Sequence, residues 1–375
     1  MSTSPMKQAS TTQPDLLYSE AEDELRAAVR ALLGDRTDLQ ATLAGMESGN
    51  PYDPALWQSL AADMGAAGLL VPEKLGGQGA SHREAAVVLE ELGRAMTPAP
   101  YLTSSVIATE TLLALSGQTG PGGAAAVELL ADTAAGRTVT VLAVPLSAAP
   151  GDELPTGPAV TAVADARIAD VLLVARPDGL YAVRRADAEL TPQLALDLTR
   201  PLATIATGDD TPGTRLADTA TAGAAVRRGR LAGAGLLASE QLGIAEWCLE
   251  ETVRYTRERH QFNRPVGSFQ ALKHRMARLW LEVVNARAAA RNAADALANG
   301  SDDVALSVSV AQAFCSRVAV HAAEECVQLH AGIGMTWEHP AHLYLKRAKA
   351  DELALGTPGR HKEVLADLVD LPAPR

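Results

Sequence analysis

Six side chains able to donate hydrogen bonds, Arg257, Arg259, His260, Gln261, Gln270 and His274, fall within eighteen residues of one another in the stretch RYTRERHQFNRPVGSFQALKH, residues 254–274. Phe262 and Phe269, two of only three phenylalanines in the protein, lie among them. Guanidinium forks match phosphate oxygens bidentately, and an aromatic ring can cover a heterocycle, so this set suits a phosphorylated planar ligand. On spacing alone, a solvated helix–helix turn accounts for the same residues. A long apolar-periodic helix leads into the stretch. Asn263-Arg264-Pro265 is expected to break it, and a second helix to begin near Ser268, with no further proline until Pro340.

The pattern RHQFNRPVGSFQALKH, residues 259–274, resembles the flavin-binding corner of the acyl-CoA dehydrogenase family. Other stretches extend the resemblance: Trp57 to Gly79, with Val71-Pro72-Glu73 and Gly76 to Gly79; Glu90-Glu91-Leu92-Gly93; and Gln328 to Thr357. It implies FAD as cofactor. By resemblance, Arg259, Gln261, Phe262 and Gln270 reach the pyrophosphate and adenine of a neighbouring subunit's FAD. Gln328 and Gly332 belong to the same contact, and Thr357 joins the cofactor set. Ala331 stands where the family has the first glycine of Gly-Gly-x-Gly, and Gln328 also reads as a polar residue of a helix bundle.

The reaction implied removes the α proton of an acyl thioester with a carboxylate while a hydride leaves the β-carbon. It needs bound FAD, a carboxylate in a dry site and donors for the developing enolate. This chain departs from the family at two of these. At the position before Gly356-Thr357 it has Leu355, and at the other family position, counted back from Tyr255, it has about Gly233. Neither is a carboxylate. Glu240, on roughly the face of Gly233, and Glu352, one turn before Leu355, are the nearest substitutes, and each also reads as a solvated or ion-paired helix glutamate. The ring pocket is also missing. Where the family has Thr-Glu-Pro-x-x-Gly-Ser-Asp and Trp-Ile-Thr, this chain runs VLAVPLSAAPGDE over 141–153, with no tryptophan between Trp57 and Trp247.

A chain with those features resembles the base-lacking subunit of the heteromeric α2β2 acyl-CoA dehydrogenases of actinobacterial sterol side-chain degradation. The expectation is a homologous partner chain, an acyl-CoA substrate and an electron-transfer flavoprotein as electron acceptor. Two alternatives remain: a homo-oligomer with Glu240 or Glu352 as displaced base, and a non-catalytic scaffold.

The elements that must position these residues are mainly α with a small β domain. In 375 residues, Lys plus Arg number 33 against 45 Asp plus Glu, a net charge of −12 that opposes non-specific nucleic-acid binding. Cys248, Cys315 and Cys326 show no metal spacing or even pairing, and with no apolar run near eighteen residues the expectation is a soluble, cytoplasmic protein. Residues 1–16 read as a disordered tail and 17–136 as a helical domain, in which Gly76 to Gly79 is a turn rather than a phosphate cradle. Residues 137–215 read as a β domain with strands near 138–144, 159–163, 171–174 and 180–183, the last two joined by a hairpin at Pro177-Asp178-Gly179. Residues 216–375 read as a four-helix bundle. Its stripes are Leu231 to Val253, Leu272 to Ala290, and Val304 to Val318 capped by Ser301, followed by a helix after Pro340 and a short one from Arg360.

Overall fold

The computed structural model describes residues 15–36, 39–47, 49–208 and 210–372, so residues 1–14 of the expected tail lie outside the described residues. The first part of the chain is helical: α1 (Glu20–Arg36), α2 (Leu39–Glu47), α3 (Pro54–Gln58), α4 (His82–Ala95), α5 (Thr109–Leu115) and α6 (Pro121–Ala134). Ser81 begins α4 with a capping box: its hydroxyl accepts from the Arg83 N–H, and Glu84 accepts from the Ser81 N–H at 2.8 Å. Between α4 and α5 a π-helical segment, Tyr101–Ala108, has every side chain buried. The Gly76 to Gly79 loop is a turn. Its four amides already donate to Glu73, Pro72, Gly68 and Val71 carbonyls, so none is left for a phosphate.

Two sheets follow. β1 (Thr140–Leu142), β3 (Val171–Arg176), β4 (Gly179–Arg184) and β7 (Thr214–Asp218) make one, in the order β1-β3-β4-β7, with β1 parallel to β3. β2 (Ala159–Ala164), β6 (Leu202–Ala206) and β5 (Glu189–Gln193) make the other, antiparallel, in the order β2-β6-β5. The expected hairpin is present, but its turn is Pro177-Asp178 alone, because Gly179 already pairs with Arg176 in the ladder.

The Asp218 side chain caps α7 (Thr219–Glu258), a helix of 40 residues. It packs closely on α4: a Cβ on Gly93 would lie 2.2 Å from the Glu240 carbonyl oxygen, and one on Gly243 would lie 1.9 Å from that of Glu90. Only glycine permits this crossing. α8 (Gln270–Asn299), α9 (Val304–His330) and α10 (Ala341–Leu353) complete the bundle, and α11 (Pro358–Leu368) closes it. The middles of the expected stripes face inward: Ala234, Ala238, Leu242, Ala245 and Leu249 of α7, Leu279, Val283, Ala286 and Ala290 of α8, and Val308, Ala311, Cys315 and Val318 of α9 are all buried, while Leu231, Val253, Leu272, Met276 and Val304 are half-buried. Ser301 lies three residues before α9, where its hydroxyl accepts from the Asp303 N–H. Val304–Met335 is apolar and long enough to cross a membrane, but 61% of its most apolar stretch is buried within the fold, as in a core helix.

Candidate cofactor corner and base site

The helix break falls earlier than expected. α7 ends at Glu258, because Arg259 is extended, with φ −75° and ψ 122°. Residues 260–265 then form a small hairpin in which β8 (His260–Gln261) pairs with β9 (Arg264–Pro265) across a two-residue turn. Both turn residues, Phe262 and Asn263, sit at positive φ, 53° and 61°, which is the backbone of a tight hairpin turn. The turn leaves Phe262 87% exposed, with its ring 6.0 Å from Phe269, edge to face, while the Arg264 guanidinium covers Phe269. Arg259, Gln261 and Gln270 are exposed, and among the described residues their side chains have no hydrogen-bond or ion-pair partner.

Gln328 and Gly332 lie beside this corner. The ring of His330, between them in sequence, stacks on Tyr255 of α7 at 4.3 Å. Gln328 is exposed, and a Cβ on Gly332 would meet nothing within 4 Å. Thr357 does not join them. It follows the far end of α10, and its hydroxyl caps α11 by accepting from the Arg360 N–H.

Gly233 and Leu355, where the resemblance puts the two base positions, meet each other. A Cβ on Gly233 would lie 2.6 Å from Ile107 Cγ1 and 3.2 Å from Leu355 Cδ1, so hydrocarbon fills the place from both sides. Leu355 is 1% exposed and stands at φ 53°, a conformation rare for a bulky residue, held by its N–H donating to the Leu146 carbonyl at 2.7 Å. The cavity beside it, lined by Thr103, Ile107, Leu142, Val144, Leu146 and Leu355, has a volume of about 20 Å³, room for one water.

Glu240 is no free base. Its carboxylate accepts from Arg200 Nη2 at 2.6 and 2.7 Å and from Arg347 Nη1 at 2.6 Å, all three side chains being buried. Burial raises its proton affinity, but the two guanidiniums outweigh that and hold the carboxyl below its usual range. The cluster continues: Arg200 binds Asp351 at 2.6 Å, and Arg347 binds Asp197 and Thr199. Asp351 is driven the other way, upward, by burial and by Glu240. Glu352 is half-buried at the edge of α10, with Lys349 Nζ 3.7 Å away. Both candidate bases are therefore ion-paired, and neither adjoins the spot between Gly233 and Leu355.

The stretch expected to replace the ring pocket is engaged within the chain. The Leu146 N–H donates to Ala162 at 2.9 Å. An apolar cleft of about 200 Å³ there is lined by Leu146, Ser147, Ala162, Leu196, Arg200 and Leu353.

The N-terminal domain of acyl-CoA dehydrogenases matches residues 19–119, and the C-terminal domain matches residues 222–369. Acyl-CoA dehydrogenase IpdE2 of Mycolicibacterium smegmatis is 38% identical over 91% of this chain and 96% of its own length. The chain belongs to the acyl-CoA dehydrogenase family. Among solved structures, the ChsE4-ChsE5 complex from Mycobacterium tuberculosis superposes with a TM-score of 0.80 at 24% identity, covering 96% of this chain and all of that one. The Tcur3481-Tcur3483 steroid ACAD gives 0.80 at 28% identity, covering 94% and 98%.

Within this acyl-CoA dehydrogenase fold, two polar features were missed from sequence. Buried Arg230, one turn before Gly233, has Nε and Nη1 without a hydrogen-bond partner among the described residues, while Nη2 donates to the Asp152 carbonyl. Glu251 of α7, His330 at the end of α9 and His339 before α10 bring one carboxylate oxygen and two ring nitrogens within 4.8 Å of one another. No spacing rule could find that cluster, since Glu251 is far from both histidines in sequence. A histidine ending an apolar helix was its one local signal.

Proposed function

We propose that this chain is a subunit of a flavin-dependent acyl-CoA dehydrogenase. It contributes contacts to the FAD pyrophosphate and adenine, and a homologous partner chain supplies the catalytic base and the flavin-ring pocket. The observation that carries this reading is the apolar contact of Gly233, Ile107 and Leu355 at the place where the family has its carboxylate. Losing a positioned general base costs about 10²–10⁴-fold in rate, so a self-sufficient dehydrogenase would hardly fill both positions with hydrocarbon.

The corner's residues fit FAD. Arg259 carries an exposed guanidinium with no partner among the described residues, suited to a phosphate; Gln261, Gln270 and Gln328 offer amide donors and acceptors; Phe262 presents a bare aromatic face; and Gly332 leaves room for close approach. When bound, FAD supplies the hydride acceptor of the α,β-desaturation. This chain's part is to hold the cofactor's distal half against an interface and to keep its own fold closed where an acyl group would otherwise enter. Thr357, as a helix cap, has no part in that contact.

The pairing of two chains in the superposed ChsE4-ChsE5 and Tcur3481-Tcur3483 structures supports an assembly of two unlike chains, proposed as α2β2, and the latter's being a steroid ACAD supports a steroid acyl-CoA as substrate. Electron-transfer flavoprotein is the proposed electron acceptor and the cytoplasm the proposed compartment. In this reading the chain comprises a helical unit over 17–136, a β unit over 137–215 and the bundle over 216–375. The test is to express this chain alone, its neighbouring homologue alone and the two together, and to assay acyl-CoA oxidation with an artificial electron acceptor. Activity is expected only from the pair. Turnover by this chain alone would refute the reading.

A further inference from the structure

The hydrogen bonds around Glu251 fix where its neighbours carry protons. The His330 ring is fully buried, and its Nδ1 lies 2.7 Å from the Cys326 carbonyl oxygen, which accepts only, so Nδ1 carries a hydrogen. Its Nε2 has no hydrogen-bond partner among the described residues, and 3.7 Å away is Glu251 Oε1. The Ala341 N–H donates to His339 Nδ1 at 3.2 Å, which puts the proton of a neutral His339 on Nε2, facing Glu251 Oε1 at 3.3 Å. Arg254 grips the same carboxylate with two N–H groups, at 2.5 and 2.8 Å. Glu251 is thus an anion ringed by donors. A neutral His330 would point a lone pair at it from within the fold; a protonated one makes an ion pair.

Carboxylate plus two imidazoles is also the composition of a divalent-metal site. The proton on His339 Nε2 and the bidentate hold of Arg254 on Glu251 argue against that use, because both would have to be released. The environment of His330 favours the cation. It ends α9, where the helix dipole is negative, and its ring lies between those of Tyr255 and His339, at 4.3 and 4.2 Å. The titratable groups facing it are Glu251 and Tyr255 from α7, Cys326 from its own helix, and His339 from the turn before α10. Burial opposes its charge, but the contacts of Nδ1 with Cys326 and the nearby Glu251 carboxylate outweigh that, and its pKa is pushed up to about 9.

Glu251 joins the segments that carry the corner. Arg254 is five residues before Arg259, and His330 lies between Gln328 and Gly332. The next residue, Ala331, is held at φ 54°, ψ −133°, a backbone that favours glycine and persists only where its surroundings fix it.

We propose that His330 is a positioning residue: as a buried imidazolium paired with Glu251, it holds the ends of α7 and α9 in the arrangement that presents the cofactor donors, so that flavin retention at this corner depends on its proton. This rests on the FAD reading above. The test uses the flavin-loaded assembly with its partner chain and, beside it, this chain with 15N-labelled histidine. In the wild type one histidine should keep both ring protons at pH 7.5, and flavin should be released as pH rises through that histidine's titration. E251Q should lower both midpoints together by about one to three pH units. H330N, which keeps the donor to Cys326 but no charge, should hold flavin weakly at every pH with helix content unchanged. A His330 that is neutral at pH 7.5, or an E251Q profile that does not move, would overturn the proposal. So would one Zn²⁺ per chain bound by the wild type and lost in H330N. R259A separates the two readings: if it retains flavin, the cofactor reading itself fails, whereas if it loses flavin and E251Q does not shift the profile, only the proton-dependent positioning fails.

Discussion

Gly233 and Leu355, the residues at which the resemblance puts the family's two alternative base positions, face each other so closely that a Cβ on the first would fall 3.2 Å from Cδ1 of the second. One filled position could reflect a base moved to the other; two filled by each other leave no room for one. Gly233→Ala should cost about 1–3 kcal/mol by overpacking against Ile107. Leu355→Glu should cost about 2–3 kcal/mol, since its carboxyl would have no partner there. Thermal melts of the purified chain measure both. A Leu355→Glu chain as stable as wild type would mean that the site is open after all.

Glu240→Gln and Glu352→Gln should part company. The first leaves Arg200 and Arg347 buried with one anion fewer, a change that typically costs about 3–5 kcal/mol, so the variant should melt early or fail to assemble. The second, half-buried at the edge of α10 beside Lys349, should change stability by less than about 0.5 kcal/mol. In the assembled enzyme Glu352→Gln should keep most of its acyl-CoA oxidation. A hundredfold loss there with flavin unchanged would name Glu352 as the displaced base.

Arg259→Ala should strip flavin from the assembly while circular dichroism stays the same. A charge-assisted contact to phosphate is worth about 1.5–3 kcal/mol, or roughly 10- to 150-fold in affinity. Full flavin occupancy in the mutant at micromolar protein would make Arg259 an ordinary surface arginine.

Stability should fall off in acid. Glu22, Glu110 and Glu240 all have folded-state pKa values below the ordinary 4.5, burial being overcome by Arg83, by His82 with Arg228, and by Arg200 with Arg347 respectively. For a depressed carboxyl the stabilisation is present above the unfolded value and is lost as pH falls through the folded one, so melting temperature should drop steeply below about pH 4.5. His330 has the opposite sign: its contribution is complete below the ordinary 6.5 and disappears as pH rises through about 9. A melting temperature flat from pH 5 to pH 3 would contradict the acid limb.

Much of this was legible beforehand because it is local and periodic. The bundle stripes, the β3–β4 hairpin and the donor-rich corner each announce themselves within a few turns of chain. The β8–β9 hairpin did not, since Phe262-Asn263 lacks the glycine of the usual tight-turn signature. Strand β5 was hidden because it is an edge strand, mostly exposed and carrying Pro192, and so has no apolar alternation. The clamp on Glu240 was out of reach for another reason. Its arginines come from residue 200, between two strands, and residue 347, on another helix, and only their intrusion into buried faces hints that they pair.

The measurement that bears most directly on the central claim is flavin content per chain. This chain purified alone should carry almost no FAD, and co-expression with its homologous partner should yield one FAD for each pair of unlike chains. A yellow homo-oligomer of this chain holding one FAD per copy would contradict the account.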